Sequence, residues 1–342
     1  MKNIFKGKSI LITGGTGTIG QEIVRQLLKI CEPNVIRIYS RDETKQFLME
    51  EKFGRQKRLR FFLGDIRDAK RLQRAMEKID IVFHCAALKH VPACEYNPFE
   101  AIRTNIIGTQ NLIDIAINFE IEKLIFTSSD KAVNPSNVMG ASKLMAEKLI
   151  TSANYYKGNR KTIFSSVRFG NVLGSRGSVI PLFKEQTING KPITITNPDM
   201  TRFIMSIEKA VELIFKATEI SHGGEVFVFK MPSIRIMDLA EVIAEEMIEK
   251  HKKNFKIEYK YIGIKPGEKP YEELLTDEEL SRVVETKDMF IILPQMLEEF
   301  QMVHKKYSNR KFAQRKRYTS ADVPILSKEE IREMLIKYSL LD

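Results

Sequence analysis

Short runs of β-branched and aromatic residues alternate with amphipathic stretches from residue 8 to about residue 170, and the alternation repeats at least five times. Such a pattern is expected where strands alternate with helices around a parallel sheet. The runs are apolar along almost their whole length, which is typical of strands covered by helices on both faces. The sequence therefore predicts an α/β fold with a doubly wound parallel sheet. The predicted strands are 8–13, 35–40, 59–65, 80–86, 123–129 and 162–170, and the predicted helices are 19–29, 43–53, 69–78, 98–118 and 138 to about 156.

A glycine-rich loop follows the first predicted strand and opens the first predicted helix. Glycines at this spacing let the backbone turn tightly and approach a pyrophosphate, whose charge then lies at the positive end of the helix. A glycine run alone is weak evidence, and the alternative is a turn without a ligand, but here both the strand and the helix are present. We therefore predict a Rossmann-like dinucleotide site. Its loop contacts are Gly14, Thr16, Gly17, Thr18, Ile19 and Gly20.

The end of the second predicted strand bears on the choice between NADP and NAD. A site for NAD usually carries an acid here that accepts hydrogen bonds from the ribose, whereas this chain has Ser40 and Arg41. A guanidinium pairs well with a 2′-phosphate, so the sequence favours NADP over NAD. Asp42 is the alternative acid if the strand ends two residues later. The other expected cofactor contacts are Asp65, Ile66, Ala86, Ala87, Lys89, Asn105 and Lys143.

Polar residues follow the fifth predicted strand, at the edge of the sheet where doubly wound folds bind their ligands. They are Ser129, Asp130 and Lys131, and the next predicted helix carries Met139 and Lys143 on one face, four residues apart. In isolation such residues would be a solvated turn and a surface lysine. Because the strand end directs them toward the cofactor, we predict that these five residues form the catalytic site.

With these residues in place, the chain resembles the extended short-chain dehydrogenase/reductases. Within that superfamily it is similar to the UDP-N-acetylglucosamine 4,6-dehydratases of surface-polysaccharide and glycan biosynthesis. The resemblance covers roughly residues 8–290, is most specific around Asp130 and Lys131, and is loose over the last fifty residues. The segments that carry it are TGGTGTIG (13–20), YSRDETKQ (39–46), HCAALKHVP (84–92), SSDKAVNPSNVMGASK (128–143), VRFGNVLGSRGSVIP (167–181), TNPDMTRFIMS (196–206) and IGIKPGEKPYEELL (262–275).

The resemblance implies a reaction in three stages. NADP⁺ takes hydride from C4 of the hexose, the C5 proton and the C6 hydroxyl are lost as water, and the hydride returns to C6. By the family pattern, Ser129 holds the C4 oxygen, Lys131 takes the C5 proton and Asp130 protonates the leaving C6 oxygen. Lys143 would hold the nicotinamide ribose and lower the pKa of its neighbour. An aspartic acid beside a lysine acts as an acid only if burial raises its pKa against the pull of the cation.

Met139 departs from the commoner superfamily pattern. Most members have a tyrosine here that takes the proton of the substrate hydroxyl, and a thioether does not accept a proton at neutral pH. A subset of the dehydratases resembles this chain in carrying methionine, which indicates an altered proton relay. The candidates for the missing base are Asp130, Lys143 and a water molecule, and a non-catalytic NADP-binding regulator is the alternative to an enzyme.

The resemblance also implies a sugar-nucleotide site beyond the sixth predicted strand. Arg176 and Arg202 are candidate phosphate partners, the alternative being surface arginines. Lys265 stands where relatives commonly have arginine, and it keeps the charge without the bidentate fork. The expected substrate contacts are Lys89, Asn171, Arg176, Ser178, Val179, Arg202, Lys265 and Glu268.

Three regions follow from this reading. We predict an NADP-binding domain over 1–170, and over 171–300 a smaller substrate-binding lobe from which some segments return to the core. Residues 301–342 form a basic C-terminal extension. Within the lobe, the pattern predicts helices at 180–188, 207–218 and 237–249 and strands at 225–230 and 255–264.

Charge and cysteine usage limit the other functional classes. The net charge is +11, but residues 305–317 hold seven Lys or Arg and no acid, so most of the excess is local. No stacking face or helix-turn-helix accompanies this run, so we expect no nucleic-acid partner. His84, Cys85, His90 and Cys94 lack compact metal-ligand spacing, and we expect no metal. The first residues lack the apolar centre of a signal peptide, no apolar stretch approaches the ~20 residues of a membrane span, and we expect a cytoplasmic protein.

The sequence therefore predicts a nucleotide-sugar 4,6-dehydratase that acts on UDP-N-acetylglucosamine, with or without inversion at C5, and that forms a homo-oligomer. The product would be a UDP-2-acetamido-2,6-dideoxy-4-hexulose. The alternatives are a UDP-sugar 4-epimerase of the same superfamily, which has no need of the pair Asp130 and Lys131, and the non-catalytic regulator.

Overall fold

The computed structural model of the protein describes residues 4–175, 178–252, 257–264, 267–295, 301–308, 310, 313 and 317–341. Its strands are β1 (Ser9–Thr13), β2 (Val35–Ser40), β3 (Leu59–Leu63), β4 (Ile81–His84), β5 (Lys123–Thr127), β6 (Ile163–Arg168), β7 (Asn171–Val172), β8 (Ile193–Ile195), β9 (Thr201–Met205), β10 (Val226–Phe229), β11 (Ser233–Arg235), β12 (Tyr259–Tyr261), β13 (Val283–Glu285) and β14 (Met289–Ile292).

The helices are α1 (Thr18–Gln26), α2 (Glu43–Phe53), α3 (Ala69–Met76), α4 (Val91–Tyr96), α5 (Pro98–Ala101), α6 (Gly108–Asn118), α7 (Val138–Tyr156), α8 (Val179–Ile188), α9 (Ile207–Ile220), α10 (Ile236–Lys250), α11 (Asp277–Leu280), α12 (Gln301–Tyr307) and α13 (Lys328–Lys337). Two π-helical stretches, Leu27–Cys31 and Ile102–Ile107, continue α1 and join α5 to α6. Among the described residues, no helix is long and apolar enough to cross a membrane.

The main sheet contains nine of the described strands, in the order β13-β14-β10-β6-β5-β4-β1-β2-β3. The seven strands from β10 to β3 run parallel, and β14 and β13 add antiparallel pairs at one edge. The predicted doubly wound fold is confirmed. Strand order reverses between β1 and β4, and doubly wound folds bind ligands at the carboxyl ends of the strands beside such a reversal.

Alternate residues of the central strands pack on opposite faces of this sheet. Ile10 and Ile12 of β1 lie in a core with α1 and α9, whereas Leu11 lies in a second core with α3, α6 and α7. This follows from the period of two in a strand, and both sets are fully buried.

Two smaller sheets lie beyond β6, in the orders β11-β9-β7 and β12-β8. They pack with α8, α10 and α13 around a third core. The predicted helices of this region are present as α8, α9 and α10. The predicted strand 225–230 is present as β10 and joins the main sheet beside β6. The first residues of the predicted strand 255–264 lie outside the described residues, and β12 falls within its remainder.

Four of the predicted strands are two residues too long at their carboxyl ends, because β3, β4, β5 and β6 stop at 63, 84, 127 and 168. The residues that follow leave the ladder and line the cleft beside the sheet, among them Asp65, Ala86, Ser129 and Gly170. Their apolar or small character continues the strand pattern, so the sequence does not mark the exit from the sheet.

The stretch expected to be a basic extension, 301–342, packs against the main body in its described parts. Tyr307 is buried, and its hydroxyl donates to the Ile220 carbonyl at 3.1 Å. The ring of Tyr318 lies 5.0 Å from that of Phe203 and 4.9 Å from that of Phe290. The run 305–317 falls in part outside the described residues.

Candidate active site

The glycine loop between β1 and α1 has no room for side chains at its turning points. Gly14 adopts a φ of +64°, and a Cβ there would lie 2.7 Å from the backbone nitrogen of Ala86. The Gly17 nitrogen donates to the Gly14 carbonyl at 2.8 Å, which closes the turn. The loop therefore presents its backbone and the amino end of α1 to the cleft, the arrangement that binds a pyrophosphate.

A cleft of about 920 Å³ lies over the carboxyl ends of the strands and brings most of the predicted site together. It is large enough for a dinucleotide and part of a sugar nucleotide. Asn105 and Lys143 do not line it. Arg176 and Lys265 lie outside the described residues. The predicted residues that line it are Gly14, Thr16, Gly17, Thr18, Ile19, Gly20, Ser40, Arg41, Asp65, Ile66, Ala86, Ala87, Lys89, Ser129, Asp130, Lys131, Met139, Asn171, Ser178, Val179, Arg202 and Glu268.

At the end of β2, the side chains of Asp42 and Arg41 have different contacts. The Asp42 carboxylate caps α2 by accepting from the Lys45 nitrogen at 2.9 Å, and it also pairs with the Lys45 ammonium group. The Arg41 side chain is 56% exposed and lies 3.7 Å from Asp65. The side chain free to meet a ribose substituent at this end is therefore cationic.

Asp65 is held by a neighbour rather than turned to solvent. Its carboxylate accepts from the Arg67 guanidinium at 2.7 and 3.0 Å. Burial opposes ionisation of Asp65, but the bonds to Arg67 outweigh it and lower the pKa. Ile66 beside it is buried. These two residues form a fixed wall of the cleft between β2 and β3.

Ser129, Asp130 and Lys131 form a hydrogen-bonded chain in the 3₁₀ turn Asp130–Ala132 after β5. The Ser129 hydroxyl donates to Asp130 Oδ1 at 2.6 Å, and Lys131 Nζ donates to Asp130 Oδ2 at 2.9 Å. The Asp130 side chain is 5% exposed and that of Lys131 is 33% exposed. A buried carboxylate thus lies between a hydroxyl and an ammonium group that both reach the cleft.

A second buried carboxyl group, Glu272, lies behind this chain and was missed by the sequence analysis. It hydrogen bonds to Asp130, and its Oε1 lies 3.7 Å from Lys131 Nζ and 3.5 Å from Arg202 Nε. Its Oε2 accepts from the Phe203 nitrogen at 3.0 Å. The sequence offered one signal, the acids of the segment 262–275, and there we chose Glu268.

The two carboxyl groups differ in pKa. Burial disfavours the charge on Asp130, but Lys131 and the Ser129 hydroxyl together outweigh it and lower the pKa. Burial and the charge of Asp130 raise the pKa of Glu272 to about 8. Burial also opposes the charge on Lys131, yet both carboxyl groups raise its pKa. The raised pKa that an acid beside a lysine would need is therefore found on Glu272, and at rest Asp130 is ionised.

Glu272 is fixed by segments that are distant in sequence. Its backbone nitrogen donates to Ser320 Oγ at 2.9 Å, and the Ser320 nitrogen donates to its carbonyl at 2.9 Å. Two residues on, the Leu274 carbonyl accepts from the buried Arg168 guanidinium at 3.0 Å, and the Leu274 nitrogen donates to the Tyr318 carbonyl. The C-terminal segment and β6 together hold this strand-like stretch against Asp130.

A second cavity of about 310 Å³ adjoins the cleft. The residues that line both are Asp130, Lys131, Asn171, Arg202 and Glu268. Glu272 and Glu273 line the smaller cavity and not the cleft. Glu272 is therefore connected to the cleft through Asp130 and Lys131, which line both spaces.

Met139 and Lys143 both lie near the start of α7 but have different surroundings. Met139 is 3% exposed and packs with Cys94 and Ala101. Lys143 Nζ donates to the Thr127 carbonyl at 2.9 Å and lies 4.6 Å from the Phe126 ring centre. Burial lowers the pKa of Lys143 to about 8. Neither side chain places a proton acceptor in the cleft.

Asn105 and His84 lie beneath the cleft. The Asn105 amide accepts from the Leu88 nitrogen at 2.8 Å and donates to the Leu88 carbonyl at 3.1 Å, so it fixes the loop after β4. The buried His84 ring bonds Thr13 Oγ1 at 2.8 Å and Thr109 Oγ1 at 3.0 Å. In the described ranges, no three His, Cys, Asp or Glu side chains form a group that would hold a metal ion.

Comparison with known proteins identifies a family and several similar proteins. Residues 10–294 match the model of a family described as polysaccharide biosynthesis protein. The UDP-N-acetylglucosamine 4,6-dehydratase (inverting) of Campylobacter jejuni is 45% identical over 292 residues, which are 85% of this chain and 84% of that protein. The UDP-glucose 4-epimerase of Rickettsia rickettsii is 40% identical over 339 residues, 97% of this chain and 96% of that protein. The X-ray structure of Pen from Bacillus thuringiensis has a TM-score of 0.92 at 47% identity, and the match covers 99% of this chain and 100% of that one.

Proposed function

Because the chain belongs to the polysaccharide biosynthesis protein family within the extended short-chain dehydrogenase/reductases, we propose that it is an NADP-dependent UDP-N-acetylglucosamine 4,6-dehydratase. The observation that carries the proposal is the pair formed by the buried Asp130 and the partly exposed Lys131, joined at 2.9 Å where both line the cleft. Elimination of water across C5 and C6 needs a base and an acid on neighbouring carbons, and this pair supplies both.

The residues of the cleft fit NADP. A Cβ at Gly14 would strike the Ala86 backbone and one at Gly17 would crowd the Gly14 carbonyl, so only glycine allows the tight turn that brings the backbone to a pyrophosphate. Arg41 supplies a cation at the ribose end, while the Asp42 carboxylate caps α2. When bound, NADP would take the C4 hydride of the sugar and return it to C6. NADP over NAD thus rests on the charge at the end of β2.

A proton transfer within the pair creates the two catalytic groups. Lys131 is an ammonium ion at rest and cannot act as a base until it passes its proton to Asp130 Oδ2. That transfer leaves a neutral amine to take the C5 proton and a carboxylic acid to protonate the C6 oxygen. After water has left, Lys131 is again an ammonium ion, and it returns a proton to C5. The product is a 6-deoxy-4-ketose still bound to its nucleotide.

The remaining predicted site residues surround this pair. Ser129 lines the cleft beside Asp130, which supports the proposal that it holds the C4 oxygen. Lys89, Asn171 and Arg202 line the cleft around the expected position of the sugar and its phosphates. Ser178, Val179 and Glu268 line it as well. The cytoplasmic location and the homo-oligomer expected from the sequence stay predictions.

The test is to incubate the purified protein with NADP and UDP-N-acetylglucosamine in deuterated water. A dehydratase gives a product lighter by one water, with a ketone at C4, a methyl group at C6 and deuterium at C5, which mass spectrometry and proton NMR detect. An isomer of unchanged mass would instead identify a 4-epimerase. Asp130→Asn distinguishes the two as well, because the dehydratase loses turnover by on the order of 100-fold or more and an epimerase does not. An unchanged sugar nucleotide would contradict both activities.

A further inference from the structure

The dehydratase proposed above needs one proton acceptor that the pair Asp130 and Lys131 does not supply. Oxidation at C4 releases the C4 hydroxyl proton before the elimination begins. Met139 cannot accept a proton, and Lys143 is hydrogen bonded to the Thr127 carbonyl and does not line the cleft. The acceptor has to be reached from the cleft by hydrogen bonds, and a series of hydrogen bonds starts at Ser129.

Hydrogen bonds lead from the cleft through two carboxyl groups. The Ser129 hydroxyl lines the cleft and donates to Asp130 Oδ1 at 2.6 Å. Asp130 in turn hydrogen bonds to Glu272, which lines the smaller cavity. Two carboxylates this close repel each other, so a proton that arrives on Asp130 is readily held by the pair. The path therefore ends at the Glu272 carboxyl group, which can bind one proton.

We propose that Glu272 is the acceptor of the C4 hydroxyl proton, which reaches it through Ser129 and Asp130. The inference rests on the proposed dehydratase activity and assigns a role to a residue that the sequence analysis did not single out. It also explains how this chain works with methionine where the commoner pattern has a tyrosine.

The balance of the step is closed within named groups. The C4 hydroxyl gives its proton to Ser129 Oγ while the Ser129 proton moves to Asp130, and Asp130 passes a proton to Glu272. The C4 hydride, with its electron pair, would pass to the bound nicotinamide, and C4 becomes a ketone. Asp130 is then ionised again and free to take the Lys131 proton for the elimination. After Lys131 has returned a proton to C5, Glu272 restores it across 3.7 Å, and the cluster is reset.

The electrostatics of the site suit this role. A general base works best when its pKa lies near the working pH, and an ordinary glutamate is too weak a base for that. Burial and the charge of Asp130 raise the pKa of Glu272 to about 8. The charged groups that face Glu272 are Asp130 and Lys131 from the 3₁₀ turn and Arg202 from β9, and the two cations limit the rise. Glu272 must be ionised before it accepts, so the oxidation step should speed up as the pH rises toward 8.

The first experiment measures the oxidation step alone. Enzyme loaded with NADP is mixed rapidly with UDP-N-acetylglucosamine, and the absorbance of reduced nicotinamide is followed on both sides of pH 8. In the unmodified protein we expect the rate to rise with pH and level off above about 8. Glu272→Gln keeps the shape of the side chain but cannot take up a proton. In this variant we expect a rate lower by on the order of 100-fold and no rise with pH.

Glu273→Gln is the matched control. Glu273 lines the same cavity, and its carboxylate accepts from Lys269 and Asn134. We expect this variant to keep both the rate and the pH profile. Calorimetric binding of NADP to each variant shows that the fold is intact. If Glu272→Gln kept the rate and the pH rise of the unmodified protein, the inference would be overturned while the dehydratase assignment stood. The inference would also be overturned if Glu272→Gln were slow but oxidation by the unmodified protein did not depend on pH near 8. The loss of rate would then reflect a structural role of Glu272.

A second measurement does not depend on turnover. Infrared difference spectra between the unmodified protein and Glu272→Gln, without substrate, report a protonated carboxyl group directly. We expect its carbonyl band below pH 8 and its loss above, in the unmodified protein only. Absence of the band would contradict the shared proton, even if the protein proved to act on another sugar nucleotide. Presence of the band in a protein that releases no water would contradict the proposed function alone.

Discussion

Neighbouring residues of opposite charge divide the work at the end of β2. Asp42 is bound to the first turn of α2, so Arg41 is left to meet the ribose. We predict that Arg41→Ala weakens NADP binding by about 10- to 100-fold, the effect of a lost hydrogen bond to a charged group, and leaves NAD binding almost unchanged. Calorimetry with both nucleotides checks this. Arg160→Ala removes an arginine whose guanidinium donates to the Lys157 carbonyl, and it should change neither affinity. Equal losses for NADP and NAD would contradict the assignment.

The buried His84 makes stability depend on pH. Burial lowers its pKa to about 3, so the ring is neutral in the folded protein and gains a proton on unfolding below its ordinary value of 6.5. The unfolded state then binds more protons, so stability falls as the pH drops from 6.5 toward 3, by up to about 1.4 kcal/mol per pH unit. We predict that this slope is smaller in His84→Gln. Urea unfolding at several pH values measures it.

His251→Gln is the control for this titration, since His251 is exposed after α10 and its replacement should leave the slope unchanged. A His84→Gln protein with the full acid slope of the unmodified protein would show that the ring does not stay neutral in the fold.

Single residues also show where sequence analysis stops. Asp130 and Lys131 are adjacent, follow a strand directly, and were predicted with their place in the cleft. Glu272 lies 142 residues after Asp130, and its role depends on its turning inward while its neighbour Glu273 turns to Lys269. Alternation alone does not say which of two adjacent acids faces the core. Nor does a sequence give the balance of burial and charge that ionises Asp130 and protonates Glu272.

At the scale of elements, α7 packs so closely against the catalytic turn that the distance between them leaves no room for a side chain. Gly140 lies in the first turn of α7, and a Cβ there would overlap the Lys131 carbonyl oxygen. The overlap is with backbone, so it is relieved only by moving the helix or the turn. We predict that Gly140→Ala lowers dehydration by on the order of 100-fold through misplaced Asp130 and Lys131, with NADP affinity almost kept, because 1 Å of misplacement has effects of this size.

The matched change is Ala141→Ser, one residue later on the exposed side of α7. It should keep full turnover. A Gly140→Ala protein as active as this control would show that the turn is not fixed by the helix.

Elements were predicted best where periodicity is strong. The parallel strands and the helices between them follow from alternating apolar runs, which is why β1, β2 and α2 have nearly the predicted bounds. The predicted helix 98–118 is interrupted by the π-helical stretch Ile102–Ile107, which the pattern does not reveal. Strands β13 and β14, the last two at one side of the main sheet, were not predicted, since runs of three and four residues give too short a pattern.

At the scale of the whole molecule, the C-terminal segment is a structural part of the core. Tyr318 is 3% exposed between Phe203 and Phe290. We predict that Tyr318→Ala lowers the free energy of unfolding by about 3 to 5 kcal/mol, the usual cost of removing a buried aromatic ring. Urea denaturation measures the change. Tyr96→Ala, at a residue 88% exposed, should have almost no effect, and equal stability of both variants would contradict this packing.

Composition explains why this segment was expected to be an extension. Seven basic residues between 305 and 317 dominate its pattern, and they hide the few buried anchors within and beside the run, Val303, Tyr307 and Tyr318. Partners far away in sequence, such as Phe203, decide whether such anchors are buried. The doubly wound class of the sheet and the position of the cleft were predicted from the sequence, whereas the return of this segment was not.

The bonds between Ser320 and Glu272 have a consequence for biosynthesis. They join residues 48 apart, so a nascent chain on the ribosome can form β1 to β6 and the glycine loop well before the backbone around Glu272 has its partner. Chemistry on the sugar therefore has to await synthesis of the residues up to Ser320, and a polypeptide that stops before them lacks the partner that fixes Glu272.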